Sequence, residues 1–286
     1  MKTKVLVTGA NGQLGKTLTA LKSQYNTIDF TGTSAKELDI TNSVQVAAYF
    51  KENQIDWCVN CAAYTAVDKA ETEPENAENV NVVGSKNLAI ACAENNVVLI
   101  QVSTDFVFNG EKSVAYTETD TTSPTGVYGA TKLDGEHEIA KRLEQHFILR
   151  TSWLYSENGS NFMKTMIKLS KDRELLAVVA DQIGTPTYAR DLAETILKII
   201  TTNNKQYGIY NYSNEGVASW YDFAKAIFEE SNIPIKVVPI KSKAYPTPAK
   251  RPHFSVLDKT KIKTNLQIEI PHWRDSLRKA IANNHE

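Results

Sequence analysis

The chain has 286 residues, which is one large or two modest domains at roughly 150 residues each. Hydrophobic residues make up 42% and charged residues 23%, enough apolar material for a core, so disorder is excluded for most of the chain. A net charge of −1 lacks the basic excess of a general nucleic-acid binder, three cysteines cannot build a disulfide framework, and no apolar run approaches the ~18 residues of a membrane span.

The basic start Met1-Lys2-Thr3-Lys4 leads only into Val5-Leu6-Val7, too short for the apolar stretch of a signal peptide. The expectation is a soluble cytoplasmic protein with neither a nucleic-acid nor a membrane partner. From there the pattern alternates. Residues 4–8 read as a buried strand, and Leu14, Leu18 and Leu21 follow at helical spacing. Strands are predicted over 27–31, 55–61, 97–103 and 147–150, and helices over 44–51, 80–94 and 126–143. Strands alternating with helices predict an α/β fold, a doubly wound parallel sheet of Rossmann type, over residues 1–150. Beyond residue 150 the texture changes, with seven of the nine prolines in that half. Strand candidates at 174–179, 207–212 and 235–240 mix there with helices near 190–201, 219–230 and 272–282. This predicts a smaller α/β substrate domain over 151–286 that crosses back to the first.

The turn after the first strand reads Gly9-Ala10-Asn11-Gly12-Gln13-Leu14-Gly15. Glycine serves where the backbone needs positive φ or must approach a ligand closely, and a helix N-terminus offers N–H groups and a positive dipole end to phosphate. That is the dinucleotide-binding arrangement, although G-x-x-G-x-x-G differs from the commoner G-x-G-x-x-G. The run Gly15-Lys16-Thr17 mimics a phosphate-binding P-loop, but Ala10 stands where that motif needs glycine. Asp29 is the acid expected near the end of the second strand to read the adenosine ribose. Ile28 and Phe30 beside it suggest a place inside the strand, while Ser34 and Lys36 follow. Small hydroxyls and a lysine favour NADPH and leave NADH open.

Tyr128 and Lys132 stand at i and i+4 on one predicted helix, so they share a face. A lysine ammonium beside a phenol lowers its pKa from near 10, and such a pair exchanges a proton with a carbonyl or alcohol oxygen. Thr104 ends the fourth strand, where ligands of open α/β sheets bind, and its hydroxyl can hold a substrate carbonyl. The glycines, Thr104 and the Tyr128/Lys132 pair together form a short-chain dehydrogenase constellation. The residues alone stop at nicotinamide-dependent redox or epimerisation of a sugar nucleotide.

On these motifs the chain resembles the extended short-chain dehydrogenase/reductases and, within them, the dTDP-4-dehydrorhamnose reductase family. The stretches beginning Asn60-Cys61-Ala62-Ala63-Tyr64-Thr65, Arg150-Thr151-Ser152-Trp153 and Asp181-Gln182-Ile183-Gly184-Thr185-Pro186, and the stretch Ala244-Tyr245-Pro246-Thr247-Pro248-Ala249-Lys250-Arg251-Pro252, add to the likeness. The resemblance implies reduction of the C4 ketone of dTDP-4-dehydro-β-L-rhamnose, the last step to dTDP-β-L-rhamnose. It implies Tyr128 as proton donor, Lys132 as its tuning partner and ligand of the nicotinamide ribose, and Thr104 as the group that orients the ketone. It further implies Gly9, Asn11, Gly12, Gln13, Leu14 and Gly15 around the pyrophosphate, and Asp39 and Ile40 beside the adenine. Ala62, Ala63 and Thr65 would line the cofactor. Thr104, Asp105 and Trp153 would touch the sugar, and Arg251 would pair with the dTDP diphosphate, which its forked donors match.

Some members of the family dimerise through a metal held by glutamates, one of them on the first helix. Here that helix opens Lys16-Thr17-Leu18-Thr19, so no metal is expected, and monomer and homodimer both stand. Cys58 and Cys61 read as buried structural cysteines, and His137 as solvated. Asn158-Gly159-Ser160 matches the N-glycosylation pattern, which carries no meaning in a cytoplasmic protein. Two other functions remain: an epimerase or dehydratase that recycles its cofactor, and a non-catalytic partner resembling the β subunit of methionine adenosyltransferase.

Overall fold

Val5 and Val7 pack into one apolar cluster and Leu6 into another, the alternation of a strand covered on both faces. That strand belongs to a computed structural model of the protein, which describes residues 2–284. The chain opens with β1 (Thr3–Thr8), α1 (Gln13–Leu21), β2 (Ile28–Thr33), α2 (Ser43–Glu52) and β3 (Trp57–Asn60). Two short helices, α3 (Val67–Ala70) and α4 (Pro74–Glu78), precede α5 (Gly84–Asn95), β4 (Val98–Thr104), α6 (Val127–Arg142) and β5 (His146–Thr151). The second half runs β6 (Leu154–Tyr155), α7 (Phe162–Leu169), β7 (Leu175–Val179), β8 (Ile183–Gly184), β9 (Thr187–Tyr188) and α8 (Ala189–Thr201). It ends with β10 (Gly208–Asn211), β11 (Ala218–Ser219), α9 (Trp220–Glu230), β12 (Lys236–Ile240), α10 (Thr260–Leu266) and α11 (Trp273–Ala282).

Six strands form one parallel sheet in the order β10-β5-β4-β3-β1-β2. The order reverses between β1 and β3, which makes their carboxyl ends the topological switch point where ligands of such sheets bind. On one face Leu14, Leu18 and Leu21 of α1 pack with Leu192, Ile196 and Ile199 of α8. On the other face Val46 and Phe50 of α2, Leu88 and Cys92 of α5 and Ile139 of α6 close the layer. The expected Rossmann-type sheet is present. A third cluster, with Tyr155, Tyr188, Phe223, Trp273 and Leu277, belongs to the smaller lobe around α7, α9 and α11.

The strand predicted at 27–31 runs on to Thr33, because Gly32 and Thr33 pair with Val7 and Thr8. The helix predicted over 80–94 begins as a π-helical turn at Asn79–Val83. There Asn81 accepts from the Tyr64 N–H at 2.9 Å and donates to Thr131 Oγ1 at 3.1 Å, tying the loop after β3 to α6. β10 and α8 lie in the second half of the sequence, yet they serve the six-stranded sheet. β10 pairs with β5, and α8 packs on α1.

Candidate active site

The turn between β1 and α1 is built on its glycines. Gly9 has φ +64°, and a Cβ there would stand 2.6 Å from the Ala62 nitrogen. Gly15 lets α1 lie on the turn itself, since a Cβ would come within 2.6 Å of the Gly9 carbonyl. Only Gly12 of the three lines the cleft at the carboxyl edge of the sheet, with Asn11, Gln13 and Leu14. Gly12 caps α1 without a side-chain hydrogen bond, and the first turn carries no acid. Its N–H groups and positive dipole end are therefore available to an anion. The Gln13 carboxamide oxygen accepts from Asn161 Nδ2 at 3.0 Å and Ser156 Oγ at 3.2 Å, joining this turn to the second half of the chain.

Below the cleft the ends of β1 and β3 and the middle of β4 share a buried polar row. Thr8 donates to Asn60 Oδ1 at 2.6 Å, and Asn60 Nδ2 donates to Gln101 Oε1 at 2.7 Å. Asn60 Oδ1 also accepts the Ala62 N–H at 3.1 Å, which sets the course of the chain past Ala63 and Thr65 along the cleft wall. Ala62 packs inward against the second core cluster. Asp39 and Ile40 sit on the loop after β2. The Asp39 carboxylate accepts from the Thr41 N–H and hydroxyl, and Ile40 is buried against Gly84.

α6 brings Tyr128 and Lys132 beside Thr104 and Asp105 in the cleft. Gly129 permits the approach, since a Cβ there would stand 2.2 Å from the Phe106 carbonyl. Glu71 Oε1, just after α3, accepts the Val127 N–H at 2.9 Å and satisfies a donor of the first turn of α6. Thr104 donates to Asp105 Oδ1 at 3.1 Å and accepts the Phe106 N–H at 3.2 Å. Lys132 Nζ donates to the Val102 carbonyl at 2.7 Å.

The expected lowering of the Tyr128 pKa by Lys132 is reversed. Burial pushes the phenol up to about 12, the Thr104 hydroxyl pulls it the other way, and the Asp105 charge adds to the rise. Burial also brings Lys132 down to about 8, against the opposing charge of Glu136. At about 8 the lysine is still mostly charged at pH 7, and burial of the phenol outweighs that charge. Glu136, one turn past Lys132, is itself buried. It accepts two nitrogens of Arg150, at 3.0 Å (Nε) and 2.6 Å (Nη2), and the Ser103 hydroxyl at 2.5 Å.

Trp153 and Arg251 line the same cleft, whose volume is about 620 Å³. Trp153 takes φ +45° and stacks on Trp220 with ring centroids 3.5 Å apart. Nothing in the spacing singles out Trp220; its only local signal is the Ser219/Asp222 capping box that starts α9. Arg251 Nη2 donates to Asp68 Oδ2 at 2.8 Å, while Nη1 is buried without a partner.

Asp29 is not at the ribose end of β2. It pairs in register with Lys4, one residue into the strand, and lines a polar groove at the opposite edge of the sheet. At the carboxyl end stands Glu37, which accepts from the Ser34 N–H and hydroxyl at 2.7 Å each. The buried Thr33 hydroxyl nearby has no partner. Cys58 is buried beside Cys92, whereas Cys61 is half-buried and faces the cleft; β3 ends before it, so it escapes the strand's burial. His137 is exposed. Among the described residues no group of three or more metal-ligating side chains gathers, and no helix is long and apolar enough to cross a membrane.

This geometry has counterparts. A family model described as the RmlD substrate binding domain matches residues 3–285. The dTDP-4-dehydrorhamnose reductase of Aggregatibacter actinomycetemcomitans is 43% identical, over 96% of this chain and 97% of its own. The solved dTDP-4-dehydrorhamnose reductase of Clostridium acetobutylicum superposes with a TM-score of 0.95 at 41% identity, covering 98% of this chain and 99% of that one. The Bacillus anthracis dTDP-4-dehydrorhamnose reductase, solved in complex with NADP, gives 0.94 at 40% identity with 99% of each chain covered. With nearly its whole length matched in sequence and in backbone, the chain belongs to the RmlD family, that of the dTDP-4-dehydrorhamnose reductases.

Proposed function

We propose that the chain reduces the C4 ketone of dTDP-4-dehydro-β-L-rhamnose to dTDP-β-L-rhamnose with NADPH. The observation that carries the reading is one cleft holding the open N-terminus of α1, the Thr104 hydroxyl and the Tyr128/Lys132 pair. The site fits a dinucleotide: the first turn of α1 has free N–H groups and no acid, and Gly12 presents bare backbone to the cleft. Residues 1–150 would carry mainly the cofactor and 151–286 mainly the sugar nucleotide.

NADPH supplies a hydride to C4 when bound. The protein then has to hold the ketone and deliver one proton to O4. Thr104 would turn its one hydroxyl proton from Asp105 Oδ1 to the carbonyl oxygen and orient it. Tyr128, with its pKa raised to about 12, keeps its proton at neutral pH and can release it to the far more basic alkoxide. Lys132, mostly protonated at pH 7, would hold the nicotinamide ribose from the same helix face as Tyr128. The stacked Trp153 and Trp220 present an apolar wall to the sugar, and Arg251 meets the diphosphate.

The test mixes purified protein with dTDP-4-dehydro-L-rhamnose and follows NADPH absorbance, with NADH in parallel. Stoichiometric loss of NADPH is expected. Tyr128→Phe is expected to bind NADPH normally and lose at least ~100-fold in kcat. Product formed without net NADPH oxidation would favour the epimerase reading, and full turnover by Tyr128→Phe would remove Tyr128 from the proton transfer.

A further inference from the structure

Asp68 lies on α3, and Arg251 lies 183 residues further along, in the segment between β12 and α10. The Asp68 carboxylate uses both oxygens on that segment. Oδ2 accepts from Arg251 Nη2 at 2.8 Å, and Oδ1 accepts the Ala249 backbone N–H at 3.2 Å. The Thr247 hydroxyl donates to the Ala249 carbonyl at 2.9 Å, so the strap is also folded on itself. A guanidinium carries five N–H donors in a fixed fork. The ion pair engages one side of the fork, Nη1 is buried with no partner, and the residue is among those lining the cleft that also holds Tyr128 and Trp153.

We propose that Asp68 is a positioning residue for Arg251, fixing the guanidinium so that its remaining donors meet the diphosphate of the sugar nucleotide. The inference rests on the assignment of Arg251 to that diphosphate. An unrestrained arginine loses rotamer freedom when it grips an anion, and a carboxylate that fixes it beforehand removes this loss from the binding step. The carboxylate also offsets part of the arginine charge. With the side chains 25% and 40% exposed, solvent screens that charge effect, while the two-point geometry persists.

Four proteins decide it: the parent, Asp68→Asn, Arg251→Ala and the double variant. Each is measured for kcat and KM with the dTDP-sugar, and for the calorimetric Kd of dTDP and of NADPH. Asp68→Asn keeps an acceptor for Ala249 and loses the charge that orients Arg251. It is expected to raise both the KM and the dTDP Kd about tenfold, with kcat within about twofold and NADPH binding unmoved. The double variant is expected to be no worse than Arg251→Ala, because Asp68 acts through the arginine. An unchanged KM in Asp68→Asn overturns the proposal. A lowered KM also does so, by making Asp68 a competitor of the diphosphate. Weakened NADPH binding overturns it as well, by showing a general structural role. If Arg251→Ala binds dTDP as tightly as the parent, the diphosphate assignment itself falls, an outcome independent of Asp68.

Discussion

Asp105 is 2% exposed, and burial pushes its carboxyl from 3.8 up to about 6, although the Ser255 and Thr104 hydroxyls favour the ionised form. Its folded pKa lies above the unfolded value, so between pH 4 and 6 the folded chain binds more protons. The stability that this group contributes is fully present below about pH 4 and is lost as pH rises through about 6. At pH 7 the ionised carboxylate then costs on the order of 3 kcal/mol. Asp105→Asn keeps the shape and removes the charge. The variant is expected to melt at a higher temperature than the parent at pH 7 and at nearly the same temperature at pH 4. Equal melting at pH 7 would show that the carboxylate carries no penalty there. The choice of Asp105 as a site residue rests on Ser103-Thr104-Asp105 at a strand end, which the sequence shows. Its burial, and that of Lys132, depends on α6 closing over β4, which no spacing shows.

At the scale of elements, α1 shows why a motif and its geometry are different information. The G-x-x-G-x-x-G spacing is enough to place a tight turn before a helix, and both are present. That only Gly12 faces the cleft follows from the packing of Gly9 on Ala62 and of Gly15 on Ala10. Gly15→Ala should gain about 1 kcal/mol of helix propensity. The new Cβ, however, meets Gly9 and Ala10 backbone at 2.6 Å, where no side chain can turn away, and overpacking of this kind costs about 1–3 kcal/mol. The clash wins, and it pushes on the turn that faces the cleft. NADPH affinity is expected to fall by about tenfold in a fluorescence titration; unchanged affinity would mean that the turn does not hold the pyrophosphate. α6 gives the same lesson. Tyr128 and Lys132 are legible as i and i+4, and Glu136 continues the row, but its bond to Arg150 joins two elements and is invisible in either.

The whole molecule closes through segments that return. β10 completes the sheet beyond β5, and α8 covers α1 from the second half of the sequence. A fragment ending at residue 150 would lose Leu192, Ile196, Ile199, Ile200 and Tyr210 from the core cluster that α1 joins. At about 2 kcal/mol for each buried side chain this removes on the order of 10 kcal/mol. A typical total stability is about 5–15 kcal/mol. Such a fragment is expected to show no cooperative thermal transition by circular dichroism, while the full chain shows one. A cooperative transition in the fragment would make residues 1–150 a folding unit by themselves.

Local patterns in the sequence determined the alternation of strands and helices, the glycine turn, the strand-end hydroxyl of Thr104 and the Tyr128/Lys132 spacing. These are short-range properties, written in hydrophobic period, glycine placement and helical repeat. The tertiary structure alone decided that Asp29 sits at the wrong edge of the sheet, that Trp220 backs Trp153 and that burial raises Tyr128. It also decided that Asp68 meets Arg251 across 183 residues. Register, desolvation and contacts between distant segments arise only when the sheet is assembled, because each depends on what a neighbouring element places beside the residue.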